Sequence, residues 1–445
     1  MTTVLSADWV LPVEGAPIEH GVVAIADGRI AAVGTVDELG EGTRYADSAI
    51  IPGFVNAHSH LEYAVYGGFG DGLGDFAEWI TLHIQRKARI GWEEYVDIAR
   101  LGAASCLAPG VTTVGDCSYS GAAAAACAEL GLRATVYLEV FGADVSAALE
   151  HFARARDRVE DAFSERVRPG LSPHAPYSVS PELYEACSEL GLPLATHISE
   201  SRAEVAYVTS GSGAWGDYRE LLVKPPRTTG TRMLAEHGLL GPRVVAAHCV
   251  VLDEDEIETL AATRTGIAHC PRSNAALGCG VAPLAELRAA GARVGVGTDS
   301  PASAPSFDFF EEVRTVVLSA RARAQRPDAL SAAEALEVAT LGSARALDLD
   351  EEIGSLVPGK RADLAVVSLS GSPHFPWDDP AVAVVFGGSP DRVVATFVDG
   401  EARYEKGGFE WHELTAAAHS ARRAMLAPPA AAALAEAAGP LPRAR

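Results

Sequence analysis

Ala49-Ile50-Ile51-Pro52-Gly53-Phe54-Val55-Asn56-Ala57-His58-Ser59-His60 is an apolar run that closes on two histidines two residues apart. Its reading decides the fold. Side chains alternate along an extended strand, so His58 and His60 face the same way and two imidazoles can converge on one metal ion. The same spacing also fits a surface strand that binds nothing. What the pair means depends on the histidines and acids downstream.

Working outward, the middle of the chain repeats one pattern: a short β-branched run, a Gly-containing or polar turn, then a longer Ala/Leu/Glu/Arg stretch. The strand-like runs are Ile50 to His58, Val111 to Asp116, Arg133 to Val140, Val167 to His174, Pro193 to Ile198, Val244 to Cys249, Thr265 to Cys270 and Ala292 to Thr298. Helices are predicted between them, at Asp75 to Ala108, Pro181 to Leu190, Asp253 to Ala262 and Pro283 to Ala290, each ending near a Gly. This alternation matches a (β/α)8 TIM barrel over residues 51–351 better than an open doubly wound sheet. The flanks read differently. Residues 1–50 carry two short strands around an Asp27-Gly28 turn, and residues 352–412 carry Ala362 to Val367 and Val393 to Gly400. A small composite β-sandwich built from both termini is expected. Residues 413–445 read as a helical extension fading into a tail at Pro440 to Arg445.

Composition narrows the class. A chain of 445 residues with 48% hydrophobic and 21% charged residues has the make-up of a globular protein with room for a large core. A net charge of −23 argues against nucleic acid or an anionic membrane surface as partner, and by itself it also serves solubility. There is no apolar run of the roughly 20 residues a membrane helix needs, and no signal peptide at Met1-Thr2-Thr3-Val4-Leu5. A cytoplasmic enzyme acting on a small molecule is the expectation. Cys106, Cys117, Cys127, Cys187, Cys249, Cys270 and Cys279 are scattered, which fits neither a disulfide framework nor a thiolate zinc knuckle.

In such a barrel, groups that do chemistry stand at the C-terminal ends of the strands. Here those ends carry His58 and His60, then Ser172-Pro173-His174, Thr196-His197-Ile198-Ser199-Glu200, Ala247-His248-Cys249 and Gly297-Thr298-Asp299-Ser300. A histidine or aspartate at so many predicted strand ends is hard to obtain by chance.

With these motifs the sequence resembles the amidohydrolase superfamily, in its branch of heterocycle deaminases and chlorohydrolases. His269-Cys270-Pro271-Arg272-Ser273-Asn274 and Gly354-Ser355-Leu356-Val357-Pro358-Gly359-Lys360-Arg361-Ala362-Asp363 extend the resemblance over most of the chain. The resemblance implies that His58, His60, His197 and Asp299 hold one divalent metal, zinc or ferrous iron, with a position open for water. The metal would lower that water's pKa from 15.7 towards about 7. It further implies that Glu200 shuttles a proton to the substrate ring, that His248 hydrogen-bonds the attacking oxygen and that Asp299 doubles as a base. Dinuclear relatives bridge their metals with a carboxylated lysine, whereas the lysines here are Lys87, Lys224, Lys360 and Lys406, none in strands three to five. One metal is therefore expected. Glu139, the one nearby carboxylate, reads as structural or substrate-facing. His269 reads as a core or substrate-contacting residue, Asp116 as support for the ligands, and His20, His83, His151, His237, His374, His412 and His419 as surface residues.

For the substrate, Leu61-Glu62-Tyr63, Phe76-Ala77-Glu78-Trp79 and Ser172-Pro173-His174-Ala175-Pro176-Tyr177 look most like the aminofutalosine deaminases of the futalosine route to menaquinone. Adenosylhomocysteine and methylthioadenosine deaminases resemble it less in the first loop. In either case hydroxide attacks C6 of an adenine ring and ammonia leaves. Phe76 and Trp79 would wall the pocket, unless they simply pack an amphipathic helix on the barrel, and Glu62 and His174 would hydrogen-bond the purine or its ribose. Asp299-Ser300-Pro301-Ala302-Ser303-Ala304-Pro305 departs from the usual pattern, with Ala304 where relatives commonly carry Asn. Other readings are a chlorohydrolase or amidase on another nitrogen heterocycle, against which Glu200 weighs because chloride leaves unprotonated, and a catalytically silent scaffold, which has no need of the six chemical groups. Association into homo-oligomers is compatible with the resemblance.

Overall fold

The computed structural model describes residues 2–74, 76–213, 215–371 and 376–426. Expectations for Asp75, His374 and the tail from residue 427 lie outside these residues. Eight parallel strands close into a barrel in strict chain order: Phe54–Ser59, Val111–Ser118, Arg133–Val140, Val167–Pro173, Leu194–Ile198, Val244–His248, Gly266–His269 and Arg293–Val296. They are called strands one to eight below. The helices between them are amphipathic and seat their apolar faces on the barrel wall, as the alternation demands. Val55, Ala57, Cys117, Tyr137, Ala195, Val245 and Ala268 form one interior layer, which makes the barrel a packed core with chemistry confined to its rim.

Two expectations need correction. The predicted strand Ile50 to His58 is two strands in two sheets, Thr43–Pro52 and Phe54–Ser59. Pro52 cannot donate to a continuing ladder, and Gly53 turns the chain where any Cβ would come within 2.2 Å of Thr112. The predicted helix Asp75 to Ala108 is likewise two helices, Phe76–Lys87 and Trp92–Leu107. Gly91 restarts the helix as an N-cap, its amide donating to the Glu94 carboxylate at 3.0 Å.

Both termini contribute to a second unit. Strands Glu401–Glu405, Val393–Val398, Leu364–Ser368, Thr43–Pro52, Thr2–Val10, Gly21–Ala26 and Arg29–Thr35 lie side by side, with Ile18–Glu19 added to Thr2–Val10. All are hydrogen-bonded into one continuous sheet with its own apolar core of Leu5, Val23, Ile25, Ile50, Leu364, Val366 and Phe397. The ends meet because Thr43–Pro52 pairs with Thr2–Val10 on one side and Leu364–Ser368 on the other. The Asp27-Gly28 turn is present, with φ of 51° and 74°, the left-handed pair that a tight hairpin requires.

A buried ion cluster ties this sheet to the foot of the barrel. Arg133, at the start of strand three, meets Asp363 through two nitrogens at 2.8 and 3.1 Å and Asp399 at 2.6 Å. The C-terminal helix Trp411–Leu426 packs on the helix Trp92–Leu107, and its Arg422 donates to the Val65 carbonyl in the loop after strand one. Among the described residues, no helix is long and apolar enough to cross a membrane. The seven cysteines are all free and buried, as small apolar side chains should be.

Candidate metal centre and active site

The rim of the barrel is built by short strands whose last residues leave the ladder. Ser199, His248 and Asp299 have φ of 53°, 72° and 56°, a left-handed conformation uncommon for residues with a Cβ. Each such turn swings a side chain over the barrel mouth, and such strain concentrates where function requires a fixed geometry. Stitching across the rim holds the turns in place. Asn56 donates to the Thr298 hydroxyl at 2.7 Å and accepts from the Thr298 amide at 3.0 Å, tying strand one beside His58 to strand eight beside Asp299.

The imidazoles converge. His60 Nδ1 lies 2.8 Å from the Cys117 carbonyl and His197 Nδ1 2.8 Å from the His174 carbonyl. A carbonyl only accepts, so each Nδ1 carries the proton and each Nε2 presents a lone pair. Those two Nε2 atoms face one another at 3.4 Å. Lone pairs that close repel unless a cation lies between them, and two nitrogens on a tetrahedral zinc at about 2.0–2.1 Å are themselves about 3.3–3.4 Å apart. Asp299 Oδ1 sits 3.5 Å from His60 Nε2 and 3.8 Å from His58 Nε2, and His58 Nε2 is buried with no hydrogen-bond partner. Burial and the neighbouring imidazoles hold His58 well below the ordinary histidine range, and burial with His248 and His60 brings His197 down to about 3. Neutral rings are what a metal needs. Three groupings have the spacing to hold an ion: His58, His197 and His248; His58, His60 and Asp299; and Glu200, His248 and Asp299.

Asp299 divides its oxygens. Oδ2 accepts from Ser273 at 2.6 Å and Ser303 at 2.8 Å, which leaves Oδ1 to the imidazoles. Burial opposes its ionisation, but His60, His248 and the Ser273 hydroxyl outweigh burial and keep it ionised below the usual range. Glu200 is shifted the opposite way. Burial first, and then the Asp299 charge, raise its carboxyl well above the usual range. His248 Nε2 lies 3.8 Å from Glu200 Oε1, and its Nδ1 is fixed by Asn274 Oδ1 at 2.9 Å. The rim thus carries a cluster spaced to hold a cation, with a buried carboxyl of raised pKa and an oriented imidazole beside it.

The remaining expected contacts fall into different settings. His174 stacks between Phe141 and His197, with ring centroids 4.8 Å from each, while its Nδ1 engages Ser178 at 2.7 Å. Phe76 packs against Trp79 and Trp215 at the barrel mouth. Trp79 donates its indole N–H to the Ala302 carbonyl at 2.9 Å, bracing the loop after strand eight. Glu62 is fully buried. Its carboxylate accepts from the Ser118 hydroxyl, the Tyr119 amide at 3.0 Å and both the amide and hydroxyl of Ser120, which leaves little of it for a substrate. His83, expected at the surface, packs instead against Tyr63, Tyr66 and Trp79, because its helix lies across the mouth. Cys270 faces His58, since a Cβ on Gly297 would touch both, and alternation puts His269 on the outer face.

Two carboxylates position the ligands without joining them. Asp116 accepts from the Ser59 hydroxyl at 2.8 Å and the Leu61 amide at 2.7 Å, clamping the His58-Ser59-His60 turn from both sides. Glu204 accepts from the backbone amides of Ser199 and Glu200, each at 2.8 Å, and so sets the aim of Glu200. An acid four residues after Glu200, in the first turn of a helix capped by Ser201, was the sequence signal for Glu204.

Comparison with known proteins gives the family. The amidohydrolase family model matches residues 49–403. A 5-methylthioadenosine/S-adenosylhomocysteine deaminase of Moorella thermoacetica is 33% identical over 413 residues, covering 89% of this chain and 93% of its own. A 5'-deoxyadenosine deaminase of Methanothermobacter thermautotrophicus is 33% identical and covers 88% of this chain and 91% of its own. Among solved structures, a zinc-bound adenosine deaminase from Xanthomonas campestris superposes with a TM-score of 0.84 at 28% identity, over 95% of this chain and 98% of that one. Matched over most of its length by the family model and by these deaminases, the chain belongs to the amidohydrolase family and is a hydrolytic enzyme acting on C–N bonds.

Proposed function

We propose that this enzyme holds one divalent metal, zinc in the first instance, on His58, His60, His197 and Asp299, and deaminates a 6-aminopurine nucleoside carrying a 5' substituent. The observation that carries the reading is the facing pair of His60 and His197 Nε2 lone pairs at 3.4 Å, beside the buried Glu200 carboxyl, which lies 3.8 Å from His248 Nε2. When bound, the ion supplies a water activated for attack at neutral pH. The residues around it do the rest. Asp299 Oδ1 takes a proton from the attacking water, and His248, steadied by Asn274, hydrogen-bonds the oxygen as it adds to C6. Glu200 gives its proton to the adjacent ring nitrogen, so that the ring accepts the electron pair without building up negative charge. The proton taken up by Asp299 then passes to the exocyclic amine, the C6–N bond breaks and ammonia departs, leaving a 6-oxopurine. The ring proton stays on that product, and the proton of the C6 hydroxyl passes to the Glu200 carboxylate as the C6=O bond forms, which restores the acid.

Aminofutalosine is the substrate to which the Leu61-Glu62-Tyr63 loop points, with a place in menaquinone synthesis. The named activities of the relatives support methylthioadenosine, S-adenosylhomocysteine and 5'-deoxyadenosine as the alternatives. The test is ammonia release from the metal-loaded protein offered each of these compounds, adenosine and guanine, with chloride release from a chlorotriazine as the contrasting arm. Ammonia from at least one 6-aminopurine nucleoside is expected. None from any of them, or chloride alone, overturns the proposal.

A further inference from the structure

Lys87 closes the helix Phe76–Lys87 and points its ammonium under the rim instead of into solvent, its side chain only 13% exposed. The ammonium sits 3.4 Å from the centre of the Tyr119 ring, 5.0 Å from Phe141 and 6.0 Å from Tyr63. Two of these rings reach the ligand cluster: Tyr63 stacks on His60 at 5.4 Å, and Phe141 packs on His174, which touches His197. Glu139 comes from strand three, two residues after the interior Tyr137, and so projects into the barrel on the same side. Its nearest oxygen is 3.9 Å from the Lys87 nitrogen.

That separation is too long for a hydrogen bond. The contrast is with Arg133 and Asp363, a structural pair that closes to 2.8 Å. Among the described residues, neither the Lys87 ammonium nor the Glu139 carboxylate has any hydrogen bond, although the ammonium carries three donors. Aromatic faces stabilise the charge but satisfy none of those donors. A cation packed on three rings beside the metal-binding rim, ion-paired with Glu139 at 3.9 Å but hydrogen-bonded to no acceptor among the described residues, has donors free for an anion from outside the chain.

We infer that Lys87, with Glu139 beside it, is a specificity-determining site that takes a carboxylate borne on the 5' substituent of the nucleoside. The inference rests on the deaminase reading and deepens it. The purine is held at the metal cluster, the ribose passes over Tyr63 and Phe141, and the far carboxylate accepts from the Lys87 ammonium. Two sources share this chemistry: an aromatic carboxylate, as in aminofutalosine, and an amino-acid carboxylate, as in S-adenosylhomocysteine. They differ at Glu139, since only the second brings an ammonium for that carboxylate to pair with.

The experiment compares kcat/KM for aminofutalosine and S-adenosylhomocysteine with that for uncharged methylthioadenosine, in the metal-loaded wild type, Lys87→Met, Lys87→Arg and Glu139→Gln. The ratio within one preparation cancels any fraction that fails to fold. Lys87→Met is expected to lower the carboxylate-to-neutral ratio about 10- to 100-fold, the worth of one charge-assisted hydrogen bond, with Lys87→Arg falling between it and wild type. Glu139→Gln lowers the ratio for S-adenosylhomocysteine alone if the amino acid is the natural occupant and spares it if the aromatic acid is. A Lys87→Met ratio within about 3-fold of wild type overturns the inference. So does a wild type that deaminates methylthioadenosine and ignores both carboxylate substrates, which leaves the deaminase reading standing. Deamination of no aminopurine removes that reading and the inference with it.

Discussion

Glu200→Gln changes one oxygen for an amide in a site where the carboxyl is only 4% exposed and burial with the Asp299 charge raises it well above the usual carboxylate range. The amide has the same size but no acidic proton to give to the substrate ring. General acid–base catalysis contributes about 10²- to 10⁴-fold, so kcat should fall by that factor, equivalent to roughly 3–5 kcal/mol of barrier. Stability should not fall with it. The backbone of residue 200 is fixed by Glu204 accepting from its amide at 2.8 Å, a bond that ignores the side chain. Metal content should also stay near one ion per chain, because the proposed ligands are His58, His60, His197 and Asp299. The assay is ammonia release under saturating substrate, paired with elemental analysis and a thermal midpoint on the same sample. A variant that retains kcat within about 5-fold refutes the proton-shuttle role, since even the low end of the range is 100-fold. One that loses its metal refutes the ligand assignment, because Glu200, His248 and Asp299 are also close enough to share an ion.

Dialysis against a chelator should abolish ammonia release and lower the thermal midpoint, with one equivalent of zinc restoring both, because an ion bound only by the folded state stabilises it; an unchanged midpoint would count against occupancy of the cluster. Arg133→Leu leaves the buried Asp363 carboxylate without its guanidinium partner between sheet and barrel, while Asp399 keeps Arg166 at 2.9 Å, and urea unfolding should show a loss of about 3–5 kcal/mol. A loss below about 1 kcal/mol would mean the two units are held by packing alone. Glu204 predicts a pH effect of definite sign. Burial and the Glu200 carboxyl raise it to about 7 from 4.5, so the stability it contributes is whole below about 4.5 and lost as pH rises through about 7. Wild type should therefore weaken between pH 5 and pH 8 relative to Glu204→Gln, by an amount on the order of 3 kcal/mol at most. Parallel urea midpoints for the two proteins across that range would exclude the assignment.

The barrel and the six groups at its rim were legible because their signals are local. A β-branched run followed by a helix start fixes where a strand ends, and the end of a strand is where a side chain can do chemistry. His58, His60, His197, Glu200, His248 and Asp299 are close together in the structure for the same reason that they stood out in the sequence. The break at Pro52-Gly53 was written there too, in the two residues least able to continue a ladder. Glu62 illustrates the limit. Its position next to the ligands suggested a substrate contact, but three residues from the loop after strand two, Ser118, Tyr119 and Ser120, turn its carboxylate aside, and no pattern around residue 62 encodes that loop's approach.

Lys87 shows the same limit from the other side. In sequence it lies inside the predicted helix Asp75 to Ala108, where a basic residue on the polar face needs no further explanation, and in the structure it is a last-turn cation favoured by the helix dipole. Its surroundings come from Tyr63 after strand one, Tyr119 after strand two, and Glu139 and Phe141 at the end of strand three. Only closure of the barrel brings those segments to one point. Groups that bind the metal and move protons are set by positions within a strand, so they can be read from the chain. The groups proposed to select among substrates, Lys87 at a helix end and Glu139 in strand three, owe their company to how separate segments meet. That division explains why the reaction class could be read before the substrate, and it places the sequence determinants of specificity in the pairing of Lys87 with Glu139 rather than in the histidine motif itself.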